Sequence, residues 1–391
     1  IWSQAAGAAL SVSVALLGWY GLGRVGDPLN VTGYFLGYGI LLTAVAAALN
    51  HRRLGWAATT LLLVALLQAT LFRYGEGWGD EAAWPRALLL HSTTMIALAG
   101  AASRLVARPT ERFCQVAATA ALSATVAVAG LLGGVGWQLP YDTLAVQAAW
   151  LALAWLALSW YFNNGPLFVA FQSALALAVA VVVTSHLAER PWYRDGLGGW
   201  LDPWFWHAQG TAAAAAALLW RVLRLVATRH KDRLPDYVAS LSAREMWAVF
   251  DRTAALGVAL LTIGLAVYGV LPGVAQELSP ALDAATRTPQ PAASFQLPGV
   301  AASHATGSSA WALWGTTVVL IGVRGWDRRP PVPLLALYGL GVAACLPIAA
   351  GFAGQTAVAS ATRWLLGGYS LTAAIVIATR RPLQPWLEKV G

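Results

Sequence analysis

Charged side chains are rare in this chain, and many of those able to do chemistry fall in two short stretches that also hold tryptophan and histidine. The first runs Arg73-Tyr74-Gly75-Glu76-Gly77-Trp78-Gly79-Asp80-Glu81-Ala82-Ala83-Trp84-Pro85-Arg86, with His91 following. The second runs from Glu189 to His207 and holds Arg190, Trp192, Arg194, Asp195, Trp200, Asp202, Trp204 and Trp206. Arg beside an acid at a membrane boundary suits transfer from a lipid-linked glycan, because guanidinium groups hold a diphosphate and a carboxyl group moves the proton. Asp27, Asp142, His304 and Arg363 complete that set of candidates. Clustered indole rings suit something else, a stacking or docking surface. The candidate partner or ligand surface is therefore Trp192, Arg194, Trp200, Trp204, Trp206 and His207, with Trp78, Trp84, Arg86 and His91 in the first stretch.

His91, His186 and His207 are the residues that would ligate haem, chlorophyll or a metal. A histidine near a helix end is more often a hydrogen-bonded structural group, so no such cofactor is expected at these positions. Trp-rich loops bordered by His186 and His207 are similar in composition to those of haem-handling cytochrome c biogenesis proteins. The segment Gly198-Gly199-Trp200-Leu201-Asp202-Pro203-Trp204 departs from the compact Trp-Gly and Trp-Asp pattern of that family. The chain carries no P-loop, Cys/His metal cluster, Gly-x-Ser-x-Gly elbow or dinucleotide fingerprint. Its two cysteines, Cys114 and Cys345, fall within apolar runs and build no disulfide framework.

The elements that must position these residues follow from composition. With 58% hydrophobic and 11% charged residues, 391 residues cannot cover a soluble globule. Apolar runs long enough to cross about 30 Å of hydrocarbon number twelve. They lie near 2–23, 31–49, 56–72, 87–106, 114–135, 143–162, 167–188, 205–227, 247–271, 310–323, 333–353 and 362–379. Runs such as Thr211 to Trp220 are apolar on every side, which is a helix pattern and not that of a barrel strand. Placing both termini in the cytoplasm puts 18 of the 25 Lys and Arg inside and leaves seven outside, as the positive-inside rule requires. The net charge of +8 then reflects topology, with lipid headgroups as counter-charge and no call for nucleic acid. A bacterial inner membrane is the expected location.

Punctuation repeats along the chain. Thr110-Glu111-Arg112 aligns with Ser242-Ala243-Arg244, and about thirty residues later Leu139-Pro140 matches Leu271-Pro272. Gly18-Trp19 matches Gly136-Trp137, and Trp84-Pro85-Arg86 lies where Asp202-Pro203-Trp204 lies. The expectation is an all-α membrane protein of about twelve spans in three four-helix repeats: 1–109, 110–241 and 242–391. Repeat two carries the Trp-rich outer loop 189–206 and a basic connector 228–241, and repeat three an outer Pro/Ala/Ser/Thr-rich insertion 272–298. The alignment also implies native residues upstream of Ile1, whose apolar opening reads as a span and not a signal peptide.

Twelve spans and a single long outer loop late in the chain resemble the layout of O-antigen ligases and polymerases, which would imply glycan transfer. Ionisable residues near mid-membrane, which ion-coupled transporters need, are almost missing. Small residues are plentiful inside the spans: Gly33, Gly37 and Gly39, the alanines from Ala212 to Ala217, and Gly339 with Gly341. The sequence therefore favours a non-catalytic membrane subunit that scaffolds or anchors a larger complex, with the bilayer and protein partners as its contacts. A glycan transferase and an uncoupled solute or lipid transporter are the alternatives.

Overall fold

The computed structural model describes residues 13, 28–75, 77, 79–105, 110–134, 136–193, 197–229, 249–265, 268 and 308–325. Every regular element among them is helical. In chain order these are α1 (Pro28–Leu49), α2 (Arg52–Tyr74), α3 (Trp84–Leu105), α4 (Glu111–Gly134), α5 (Tyr141–Phe162), α6 (Gly165–Ala188), α7 (Leu197–Trp200), α8 (Pro203–Arg229), helical residues 249–265 (α9) and α10 (Ser308–Gly325). Single 3-10 turns, Glu81–Ala83 and Gly136–Gln138, precede α3 and α5. The first, eleventh and twelfth apolar runs lie outside the described residues, Ser13 excepted, as do the insertion 272–298 and most of the connector 228–241.

Six helices, within α1, α2, α4, α5, α6 and α8, are long and apolar enough to cross a bilayer. Large apolar side chains stand on their outer faces: Ile40 and Leu41 on α1, Val146 and Leu153 on α5, Leu219 on α8. In water such faces would have to be covered. In lipid they are the solvent-facing surface, and the chain is an all-helical integral membrane protein. α3 is not among the six, because its first half carries Arg86, His91, Ser92, Thr93 and Thr94.

A bilayer offers no water to free backbone groups, so each helix end must find its own partners. Asparagine serves at two turns. Asn50 after α1 and Asn163 after α5 are the two described non-glycine residues with positive φ, 49° and 47°, a conformation asparagine tolerates better than most residues. Asn163 donates its backbone N–H to Ser159 O and Trp160 O, closing α5. Asn50 Oδ1 accepts from the backbone N of Arg112 at 2.9 Å, tying the α1–α2 turn to the start of α4. Hydroxyls inside the spans bond back to their own helix, as Thr43 Oγ1 does to Gly39 O at 2.7 Å, which satisfies them without a partner helix.

The chain forms two compact units, residues 1–178 and 179–391, divided within α6. The first has a core of mostly small residues from α1 to α5: Ala46, Leu62, Met95, Ala99, Phe113, Cys114, Ala117, Ala120, Ala121 and Leu158. Small side chains bring backbones close, which is how helices associate where burial from water supplies no driving force. Gly39 makes one such contact. A Cβ there would sit 2.7 Å from Leu62 Cδ2 and 3.3 Å from its backbone N, whereas Gly33 and Gly37 face open space. The second unit packs α8, α9 and α10 around Ala214, Ala217, Ala255, Val258, Leu313 and Leu320.

Candidate functional site

In the second unit, the Trp-rich stretch folds into a compact cluster of rings between α6 and α8. Hydrogen bonds from Arg190 N to Leu187 O (2.9 Å) and Tyr193 N to Arg190 O (3.0 Å) turn the chain after α6. The four-residue helix α7 follows, and Asp202 then caps the start of α8, its Oδ1 accepting from Trp204 N at 2.8 Å. Pro203 occupies the first helical position, where its missing N–H costs nothing. These turns stack the side chains around Phe205, which is buried. Trp200 stacks on it at 5.5 Å, Trp206 meets it edge-on at 5.4 Å and Tyr193 lies tilted to it at 6.4 Å, while Trp192 packs edge-on against Trp204 at 5.4 Å. Each such pair contributes about 0.5–1.5 kcal/mol beyond simple burial.

One edge of this cluster is open. Trp206 is 38% exposed and Leu201 48%, beside half-buried Trp192, Trp200 and Trp204. His207 belongs elsewhere: it is 1% exposed, and its Nδ1 lies 3.0 Å from Ser309 Oγ of α10. It ties two helices of the second unit together. His186 is exposed in the last turn of α6, and Arg194 lies outside the described residues.

The first unit has a related entry into α3. Asp80 caps the 3-10 turn by accepting from Ala82 N at 3.0 Å, and a Cβ at Gly75 would collide with its Oδ2. Trp84 is half-buried, and the Arg86 guanidinium stands 5.1 Å from the centre of the exposed Tyr74 ring. His91 is 2% exposed, one turn further into α3 than the boundary residues, and Trp78 lies outside the described residues. Asp80 and Asp202 are thus helix caps, and Arg86 has an aromatic partner. Arg73, Glu81, Asp142 and Arg190 are exposed. Asp27, Asp195, His304 and Arg363 lie outside the described residues. Among the described residues no group of three His, Cys, Asp or Glu could hold a metal ion.

The sequence shows Gln68 and Gln147 as mid-span polar residues and His91 near the outer boundary, but not that they belong to a layer of buried polar groups in the first unit. Gln68 of α2, His91 and Ser92 of α3, Thr125 of α4 and Gln147 of α5 are each under 5% exposed. Gln68, His91 and Gln147 lie six or seven residues from the helix ends at Tyr74, Trp84 and Tyr141, hence at a shared depth of about 10 Å. Ser92 Oγ donates to Ala121 O at 3.3 Å and the Trp150 indole to Thr93 Oγ1 at 2.8 Å. His91 Nδ1 and Gln147 Oε1 have no hydrogen-bond partner among the described residues. Counting residues back from each loop would have aligned the three, but only known helix ends make that count meaningful.

Family models, curated proteins and solved structures were all compared with this chain, and none matches it. The functional reading therefore rests on the geometry above.

Proposed function

We propose that the chain is a non-catalytic integral membrane subunit that scaffolds a larger complex and receives a partner on the aromatic cluster between α6 and α8. The observation that carries this reading is the open edge at Trp206 and Leu201, backed by rings that already pack on one another around Phe205. Single Trp residues at a membrane boundary serve as anchors. Six rings within residues 192–206, held by a cap and a short helix, form a pre-ordered face of the kind that supplies binding hot spots. The acids that a glycan transferase would draw on in these stretches include Asp80 and Asp202, both engaged in capping, which weighs against that alternative.

The larger architecture belongs to the same proposal: twelve spans in three four-helix repeats, both termini cytoplasmic, in a bacterial inner membrane. Two features of the fold support a repeat. The Asn turns after α1 and α5 have the same left-handed conformation, and α3 and α8 are both entered through an Asp-capped turn beside a Trp and a Pro. The test is co-purification of the protein from its own membrane with Trp206→Ala and Leu201→Ala combined. Loss of a stoichiometric partner, with the chain still folded and membrane-bound, is the expected result. An unchanged set of partners overturns the reading.

A second reading, a carrier of small polar solutes, is favoured by the polar layer of Gln68, His91 and Gln147. His91 Nδ1 and Gln147 Oε1, buried without a hydrogen bond among the described residues, are costly in lipid unless something pairs with them. Solute uptake by proteoliposomes holding the chain alone would support this reading over the first.

A further inference from the structure

At the end of the first unit where α1 turns into α2, three helix ends are clamped together. Asn50 Oδ1 accepts from the backbone N of Arg112 at 2.9 Å, and Thr110 Oγ1 donates to Ala102 O at 3.3 Å. The first turn of α4 is thereby bonded both to the α1–α2 turn and to the last turns of α3. Four exposed arginines stand on these bonded ends: Arg52 and Arg53 open α2, Arg104 closes α3 and Arg112 opens α4. Among the described residues none of the four makes an ion pair. The one acid beside them, Glu111, accepts from Gln115 Nε2 at 3.3 Å.

The amino-acid sequence of this unit offers no other counter-charge at that end. Residues 1–178 hold six acids, and Asp27, Glu76, Asp80, Glu81 and Asp142 all flank the opposite helix ends, where α1 and α5 start and α2 stops. The link 106–109 between α3 and α4 adds Arg108 and no acid. Topology alone would be satisfied by arginines anywhere in the connecting turns. Three of these four instead stand in the first turn of a helix, where the macrodipole disfavours a cation and α2 has no acid to offset it. An anion seated among them relieves both costs. Just inside the membrane from this group, Val45 and Leu49 of α1 and Trp56 of α2 are exposed apolar side chains.

We propose that Arg52, Arg53, Arg104 and Arg112 bind a phospholipid carrying two phosphodiesters, of the diphosphatidylglycerol class. Four guanidinium groups against one carboxylate leave an excess that a single phosphate does not match. The arginines also come in two groups, the adjacent pair on α2 and the α3–α4 ends, which suits a headgroup with two separated charges. The apolar side chains at Val45, Leu49 and Trp56 select a lipid over an acidic peptide, because they give acyl chains a surface directly beneath the charges. This inference is independent of the docking face between α6 and α8.

The experiment is native mass spectrometry of the full chain from mixed micelles holding equimolar diphosphatidylglycerol and phosphatidylglycerol. The wild type should retain one diphosphatidylglycerol in about fivefold or greater preference. Arg52→Gln combined with Arg112→Gln should weaken that retention about thirtyfold, while Arg73→Gln, at the opposite end of α2, should leave it intact. Equal retention of the two lipids by the wild type overturns the proposal. So does an equal loss in the double variant and in Arg73→Gln, which would mean general surface attraction. Displacement of the lipid by a polyglutamate peptide would assign the arginines to an acidic protein segment, and displacement by millimolar inorganic phosphate to a soluble anion; either overturns it. If the double variant does not fold, the wild-type preference and the two competitions still decide.

Discussion

Removing the central ring of the aromatic cluster and removing its outermost ring should have opposite consequences. Phe205 is buried and faces Trp200, Trp206 and Tyr193 within 6.4 Å. Phe205→Ala gives up three ring pairs at about 0.5–1.5 kcal/mol each and leaves a cavity, so a cost of about 3–5 kcal/mol is expected. Lipid replaces water around much of this fold, so the loss comes chiefly from packing and less from hydrophobic transfer. Among the described residues Trp206 has one ring neighbour, Phe205, and 38% of its surface is open. Its replacement by Ala should cost about 1 kcal/mol of stability, yet weaken partner binding by about 2–4 kcal/mol, or roughly thirtyfold to a thousandfold. Thermal unfolding of the detergent-solubilised chain measures the first quantity, and partner retention on co-purification the second. The reasoning fails if Trp206→Ala destabilises the fold as much as Phe205→Ala, or if the partner stays bound after Trp206→Ala in a folded chain.

Other perturbations test other parts of the structure. Asp251→Ala removes the buried carboxylate that the Arg221 and Arg224 guanidinium groups both contact and should lower stability by about 3–5 kcal/mol; a thermal midpoint equal to wild type would refute the pairing. Gly39→Ala should destabilise by about 1–3 kcal/mol because its Cβ meets Leu62, whereas Gly37→Ala, facing open space, should be neutral or gain up to about 1 kcal/mol. Equal midpoints for the two variants would contradict the close approach of α1 and α2. Gln147→Leu should leave stability unchanged or raise it by about 1 kcal/mol, since Oε1 has no partner among the described residues. A loss above about 2 kcal/mol would show that the amide is paired.

Helix positions were the most readable part of the sequence. The runs read at 31–49, 56–72, 114–135, 143–162, 167–188 and 205–227 correspond to α1, α2, α4, α5, α6 and α8, and 87–106 to α3. Several structural helices begin two to four residues earlier than the apolar runs, because polar first-turn residues such as Arg52, Glu111 and Asp142 belong to the helix but not to the hydrocarbon. The stretch 189–206 was legible as a Trp-rich loop, and the short helix α7 lies within it. Local chemistry was less so: an Asp before Pro203 suggests a cap, but Asn50 and Asn163 give no hint of their left-handed turns beyond residue type. Pairings between helices were not readable at all. Arg224 and Asp251 are 27 positions apart and His207 and Ser309 are 102 apart, and only packing brings them together. The aromatic residues were visible as a composition, while the division into a buried centre at Phe205 and an open edge at Trp206 depends on side-chain directions.

The central claim is that this chain works as one subunit of a membrane assembly. The most direct test is native mass spectrometry of the protein released from its own membrane in mild detergent or nanodiscs. Recovery with a protein partner in fixed stoichiometry, lost when Trp206 and Leu201 are replaced, is the predicted result. Recovery of the chain alone, carrying a bound glycolipid or small solute, would contradict it.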